Sequence, residues 1–498
     1  MGSKRLSTGI RGLDEILYGG FIEGRAYLVR GGPGAGKTTL GLHFLKEGVS
    51  RGESVLFITL GETESQIKAN AESLGMNLDG VSFLDLSPQS EFFTSEGTYD
   101  IFSPAEVERE PIMESIINSV NEHKPRRVFI DSMTQFRYLA TDAFQYRKQA
   151  LAFFRFLSEK GATVLFTSEG SPEAPDDDLQ FLADGVINIE KGEQSKTISV
   201  SKFRGTDFVS GRHILRIGKG GMRVYPWIPP SESDWEFSLE KIPSGVPELD
   251  ELLHGGLERG SVTVITGPSG SGKTTLGLQY MKEAAGRGER SVLYTFEENA
   301  ETIVERSKSI NIPVRSMLDN GTLSIAAIEP LRYSLVEFAY MIREEVEKKN
   351  TRIVMIDSTS GMSLSIRDST VSLAESLHAI SRYLRSRGVT FLLVSEVYEV
   401  TGNMKISEEG ISYLADNIIF LRYWEYGGEI HKAIGVLKMR MSDFEKSLRE
   451  LKITRYGIKV GEPLIDLKGI LSGNIELTKH PVGGRYGREE DPPYRTKP

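Results

Sequence analysis

The sequence predicts an α/β protein made of two tandem domains, each a mostly parallel, twisted sheet flanked by helices. Three observations predict it. Apolar runs of strand length alternate with helix-like segments along the chain. A glycine-rich loop stands between such a run and such a segment twice, at Gly31–Thr38 and at Gly267–Thr274. Landmarks around the two loops recur at one spacing, since 244 − 8, 273 − 37 and 298 − 62 all give 236 residues. Self-similarity held over that length is a duplication, not composition.

Each loop reads G-x-x-x-x-G-K-[ST], as Gly31-Gly32-Pro33-Gly34-Ala35-Gly36-Lys37-Thr38 and as Gly267-Pro268-Ser269-Gly270-Ser271-Gly272-Lys273-Thr274. The first follows the apolar Ala26–Val29 and precedes the helix-like Thr39–Leu45, the strand, loop and helix context that the motif requires. Such a loop turns backbone N–H groups inward around phosphate oxygens, and the helix N-terminus adds its partial positive charge. The candidate nucleotide contacts in the first copy are Gly31, Gly32, Gly34, Ala35, Gly36, Lys37, Thr38 and Thr39. In the second they are Gly267, Ser269, Gly270, Ser271, Gly272, Lys273, Thr274 and Thr275. Lys37 and Lys273 would neutralise the outer phosphates, and Thr38 and Thr274 would hold Mg²⁺.

Two further apolar runs end in Ile130-Asp131-Ser132 and Ile356-Asp357-Ser358. An acid at the carboxyl end of a buried parallel strand reaches the same metal shell, so Asp131 and Asp357 are candidate Mg²⁺ ligands. Their spacing, 357 − 131 = 226, leaves ten extra residues upstream in the first copy. These are expected in a surface loop within Ser87 to Arg109. Glu62 follows the run Val55–Leu60, and Glu297 and Glu298 follow Val292–Phe296. A carboxylate there can orient water or accept a hydroxyl proton. Lys202 with Arg204, and Lys438 with Arg440, are spaced so that a strand puts each pair on one face. Their offset is again 236, although the loops before them have drifted. That favours a role at nucleotide, where a cation from a neighbouring subunit would stabilise transferred-phosphoryl charge.

The duplication sets the expected boundaries: a first domain over 1–225, a linker over 226–236 rich in Pro, Ser and acids, a second domain over 237–475, and a charged, flexible tail over 476–498. The net charge of −9 offers no broad basic field, which argues against a nucleic-acid surface. The absence of cysteine excludes disulfides, thiolate metal sites and a cysteine nucleophile. With no apolar run of membrane-spanning length and no leader-like start, a soluble cytoplasmic protein is expected.

Taken together, the tandem loops, the glutamates, the Ile-Asp-Ser strand ends and the Lys-x-Arg elements resemble the KaiC family, double-domain circadian clock ATPases of the RecA-like superfamily. The resemblance covers roughly residues 5 to 475. It implies two RecA-like domains using ATP and Mg²⁺, assembled as a homohexameric ring with ATP between subunits in both tiers. It implies that the first domain is mainly an ATPase and that the second is also a Ser/Thr autokinase, together making a signalling or timing ring open to protein partners. It also places Lys202 and Arg204, or Lys438 and Arg440, beside the neighbour's ATP. Three departures stand out. The family's paired glutamates survive as Glu297-Glu298, whereas the first copy reads Gly61-Glu62. The phosphoacceptor pair aligns with Ser412-Tyr413, so Ser412 is the leading acceptor, ahead of Tyr413 and of Ser407, which matches more loosely. The carboxyl tail is short, and binding of clock partners is not implied. Two other readings compete: a RecA-like DNA recombinase or helicase ring, and a nucleotide-switched scaffold without kinase activity.

Overall fold

The computed structural model describes residues 4–88, 105–138, 142–170, 175–192, 195–226, 240–329, 332–364, 372–397, 411–470 and 476–477. The chain divides into two compact units, Met1–Ile228 and Pro229–Pro498. Each unit holds one nine-stranded sheet.

In the first unit the strands run, from one edge to the other, Gly221–Tyr225, His213–Gly218, Lys196–Phe203, Gly185–Lys191, Ala26–Arg30, Thr163–Ser168, Arg127–Asp131, Val55–Thr59 and Ser82–Asp85. The strands from Gly185–Lys191 to Ser82–Asp85 are mutually parallel, and the first three are added antiparallel. The second unit repeats the order, with Val262–Gly267 between Thr390–Glu396 and Asn417–Tyr426. The α/β class and the mostly parallel sheets are therefore those the sequence predicts.

The parallel strands read as unbroken apolar runs because both of their faces are covered. Alternate residues serve opposite cores. Tyr27, Val29, Phe57, Phe129 and Leu165 join one cluster, while Leu28, Leu56, Ile58, Ile130 and Phe166 join the other. In the second unit Ile265, Leu293, Met355 and Leu392 lie on one side, and Val264, Val292, Ile356 and Leu393 on the other. Helix starts are written locally as well. Thr63 with Gln66, Ser334 with Glu337 and Ser372 with Glu375 form reciprocal capping boxes.

Three features differ from expectation. The helix Ala105–His123 takes up the end of the stretch assigned to a surface loop, and residues 89–104 lie outside the described ones. Glu476–Leu477, assigned to the tail, pair antiparallel with Leu467–Lys468. The Lys-x-Arg strands are not regular. A bulge falls between Val186 and Ile187 opposite Lys202 and Val200, and another between Ile418 and Ile419 opposite Lys438 and Val436. Lys196–Phe203 and Glu429–Met439 then stop one residue short of Arg204 and Arg440. Of the linker 226–236, only Pro226 is among the described residues. No helix among the described residues is long and apolar enough to cross a membrane.

Candidate nucleotide sites

Both glycine-rich loops join a central parallel strand to a helix, Lys37–Ser50 in the first unit and Lys273–Gly286 in the second. Gly36 and Gly272 cap these helices at φ +111°, in the left-handed region that favours glycine. A Cβ on Gly36 would meet Ile217 Cδ1 at 2.4 Å, and one on Gly272 would meet Ile453 Cδ1 at 2.5 Å. The loop lysines are buried and fold back on the loop. Lys37 Nζ donates to the Gly31 carbonyl at 2.7 Å and the Gly32 carbonyl at 3.2 Å, and Lys273 Nζ to the Pro268 carbonyl at 2.8 Å. Burial pushes both ammonium groups below their usual range, opposed by Asp131 and Glu169 in one copy and chiefly by Glu396 and Asp357 in the other.

The hydroxyl and the acid proposed as metal ligands meet in each copy. Thr38 Oγ1 donates to Asp131 Oδ2 at 2.6 Å, and Thr274 Oγ1 to Asp357 Oδ2 at 2.6 Å. Asp131 also accepts from Thr167 Oγ1 at 2.5 Å. Burial raises the Asp357 carboxyl above its ordinary value; the Thr274 hydrogen bond lowers it, while nearby Glu297 and Glu298 raise it further. In the second unit Ser269, Gly270, Gly272, Lys273, Thr274, Thr275, Glu297, Glu298 and Asp357 come together around one cleft of about 400 Å³.

The glutamates show how the copies differ. Glu297 accepts from Ser358 Oγ at 2.6 Å, the residue after the strand-end acid. The first copy has Gly61 in its place, which offers Ser132 no carboxylate from that position. Thr59 Oγ1 donates to the Glu62 carbonyl and Thr295 Oγ1 to the Glu298 carbonyl, which fixes Glu62 and Glu298 as equivalents.

The Lys-x-Arg cations do not lie at their own loops. Lys202 Nζ donates to the Gln180 carbonyl at 2.8 Å and the Phe181 carbonyl at 3.1 Å, and Arg204 Nη2 to the Phe181 carbonyl at 3.4 Å. Lys438 Nζ donates to the Ser412 and Ala415 carbonyls at 3.3 and 2.7 Å, and Arg440 Nη2 to the Tyr413 carbonyl at 2.9 Å. All four sit at the amino ends of the parallel strands, whereas the loops sit at the carboxyl ends. The Asp416 amide donates to the Val262 carbonyl, at the start of the strand that runs to Gly267. At about 3.3 Å per residue that strand spans nearly 20 Å. Ser412 lies in the turn Ile411–Tyr413 beside these cations, half-buried, and Tyr413 is 54% exposed. Ser407 lies outside the described residues.

Several site residues were not singled out from the sequence. Glu169 follows the strand Thr163–Ser168 and Glu396 ends the strand Thr390–Glu396, each next to its loop strand, and Glu396 Oε1 stands 4.0 Å from Lys273 Nζ. Lys196 Nζ donates to the Gly34 carbonyl at 2.6 Å and Lys432 Nζ to the Gly270 carbonyl at 2.9 Å. Their spacing, 432 − 196 = 236, carries the signal that would have found them. Arg306 lines the second cleft and pairs with Glu298 at 2.6 Å. On the segments that follow the first strand-end acid, Arg137 donates to the Pro175 carbonyl and Arg147 pairs with Asp178 at 3.4 Å.

The family model described as "ATPase: KaiC" matches residues 6–227 and again 242–465. The chain is 28% identical over 485 residues to a circadian clock oscillator protein KaiC of Parasynechococcus marenigrum (strain WH8102), covering 94% of this chain and 93% of that protein. It is 29% identical over 494 residues to a circadian clock protein KaiC3 of Synechocystis sp. (strain ATCC 27184 / PCC 6803 / Kazusa), covering 96% and 95%. To a circadian clock oscillator protein KaiC 1 of the same organism it is 29% identical over 488 residues, covering 95% and 92%.

Proposed function

The chain belongs to the KaiC family of ATPases, and from that premise we propose that it is a ring-forming ATPase whose two domains each bind Mg-ATP, with serine autophosphorylation confined to the second. The observation that carries the reading is the separation of the Lys-x-Arg cations from the loops of their own domain, since a second subunit must supply them if they are to meet phosphate. The ring is a homohexamer by family kinship, working in the cytoplasm. The engaged Arg137 and Arg147 disfavour the DNA-motor alternative.

Thr38 with Asp131, and Thr274 with Asp357, offer hard oxygen donors already drawn together, a set that suits Mg²⁺. When bound, the ion supplies charge neutralisation at the transferring phosphoryl group. The residues do the rest. The loop amides and Lys37 or Lys273 hold the phosphates in line. Glu62, or Glu297 and Glu298, orients water and accepts its proton. The neighbour's Lys202 and Arg204, or Lys438 and Arg440, meet the charge that grows on the equatorial oxygens. In autophosphorylation the Ser412 oxygen attacks the γ-phosphorus of the adjacent subunit's ATP. The bond to the β–γ bridging oxygen breaks, ADP leaves, and the serine proton passes to a glutamate of that subunit, Glu297 being the one fixed by a serine. Ser412 serves only across an interface, given the strand's length between it and its own loop.

The experiment is native mass spectrometry and phosphopeptide mapping of the protein incubated with Mg-ATP. The reading expects a ring carrying two nucleotides per chain and phosphate on Ser412. A monomer in saturating Mg-ATP would sink the ring, and a second domain free of phosphate would sink the kinase.

A further inference from the structure

We propose that Arg306 is a positioning residue for Glu298, one that the first domain lacks, and that it sets the second domain's turnover apart from the first's. The inference rests on the ATPase reading above and assigns a role that the Lys-x-Arg and glutamate chemistry leaves open.

Glu62 and Glu298 occupy equivalent places, and in each copy the residue eight positions on reaches back from the next helix to the carboxylate. In the first copy it is Asn70, on the helix Glu64–Ser73, with Nδ2 at 3.3 Å from Glu62 Oε2. In the second it is Arg306, on the helix Ala300–Lys308, with Nη1 at 2.6 Å from Glu298 Oε1. The offset is 306 − 70 = 236, so one structural position carries an amide in one domain and a guanidinium in the other.

The two contacts differ in kind. An amide at 3.3 Å makes a long, weak bond to an exposed carboxylate, which stays free to change rotamer. A guanidinium at 2.6 Å makes a short, charge-assisted bond of fixed planar geometry. Only one oxygen of Glu298 is used. Its Oε2 is buried and has no hydrogen-bond partner among the described residues, and the same is true of Arg306 Nη2. The pair therefore keeps one unused acceptor and one unused donor, both buried, at the wall of the cleft that also holds Lys273, Thr274 and Asp357. Four carboxylates line that cleft, Glu297, Glu298, Asp357 and Glu396, and Arg306 offsets their mutual repulsion at the point where Glu298 stands. A catalytic carboxylate acts through its placement against the reacting atoms, and the contact at Oε1 fixes where the Glu298 carboxylate stands.

The test uses the full chain carrying Lys37→Ala, so that turnover reports the second domain, and measures kcat and KM for ATP. Arg306→Asn imports the side chain that the first domain already uses at this position, so the helix accommodates it. Removing one charge-assisted bond to the acting group should lower kcat roughly tenfold while KM stays within about twofold, since ground-state binding is not what the contact serves. Arg306→Lys should restore part of the loss, and Arg306→Asn should add nothing once Glu298→Gln is present. An unchanged kcat in Arg306→Asn, or equal losses with and without Glu298→Gln, would overturn the proposal. A parent chain that binds ATP and never turns it over would overturn the ATPase reading itself, and the proposal with it.

Discussion

His43 gives the first domain an acid sensitivity that the second lacks. It lies on the helix after the first glycine-rich loop, where its Nε2 accepts the Met222 amide at 2.8 Å, so the ring is neutral at that nitrogen. Gly221 approaches so closely that a Cβ there would meet His43 Nε2 at 2.2 Å. Burial, with a smaller push from Lys46, lowers the histidine from 6.5 to about 4. Between those values the unfolded chain binds a proton that the folded domain refuses, so stability is intact above pH 6.5 and is lost as pH falls toward 4. A shift of that size corresponds to about 3 kcal/mol once both states are fully protonated, and to about 2 kcal/mol at pH 5. The second domain has Gln279 at this position, donating instead to the Ser244 carbonyl. Pulse proteolysis along a urea series at pH 7.5 and pH 5, with fragments identified by mass, reads the two domains separately. The first should lose about 2 kcal/mol more on acidification than the same domain carrying His43→Gln. His213, also lowered by burial, keeps its own share in both proteins. An equal acid loss in wild type and His43→Gln would refute the reasoning.

Other consequences follow from the same sites. Gly36→Ala and Gly272→Ala each force a side chain into a left-handed backbone and against an isoleucine, and each should abolish nucleotide binding in its own domain only, read as bound nucleotide per chain. Lys37→Ala and Lys273→Ala should likewise leave one nucleotide per chain, and two in either variant would contradict the assignment. Arg204→Ala and Arg440→Ala should lower turnover more than nucleotide affinity, because developing charge is what they meet; steady-state kinetics beside equilibrium binding separates the two. Ser412→Ala should remove second-domain phosphate and leave ATP hydrolysis standing, as phosphopeptide mapping would show.

Much of the architecture was legible because duplication made the sequence its own comparison. A shared offset identified Lys37 with Lys273, Glu62 with Glu298 and Lys202 with Lys438, and strand-end placement identified Asp131 and Asp357. Lys196 and Lys432 share the same offset but lie outside every motif. Glu169 and Glu396 were harder, since nothing local separates a strand-end acid at the loop lysine from a solvated one. The bulges opposite Lys202 and Lys438 were not legible. A bulge shows in pairing, while the spacing of two between lysine and arginine describes only a regular strand. Arg306 was invisible for a different reason. Its meaning lies in the contrast with Asn70, and that contrast appears only once both side chains are seen to touch equivalent glutamates.

The central claim is that each nucleotide site is completed by the neighbouring copy. One subunit type carries Arg204→Ala and Arg440→Ala with its loops intact. The other carries Lys37→Ala and Lys273→Ala with its cations intact. Each alone should be nearly inactive. Co-expressed in equal amounts, the two should regain ATP turnover, because roughly a quarter of the interfaces in a randomly mixed ring then join an intact loop to intact cations. Turnover of the mixed rings no higher than the average of the two separate proteins would contradict completion in trans.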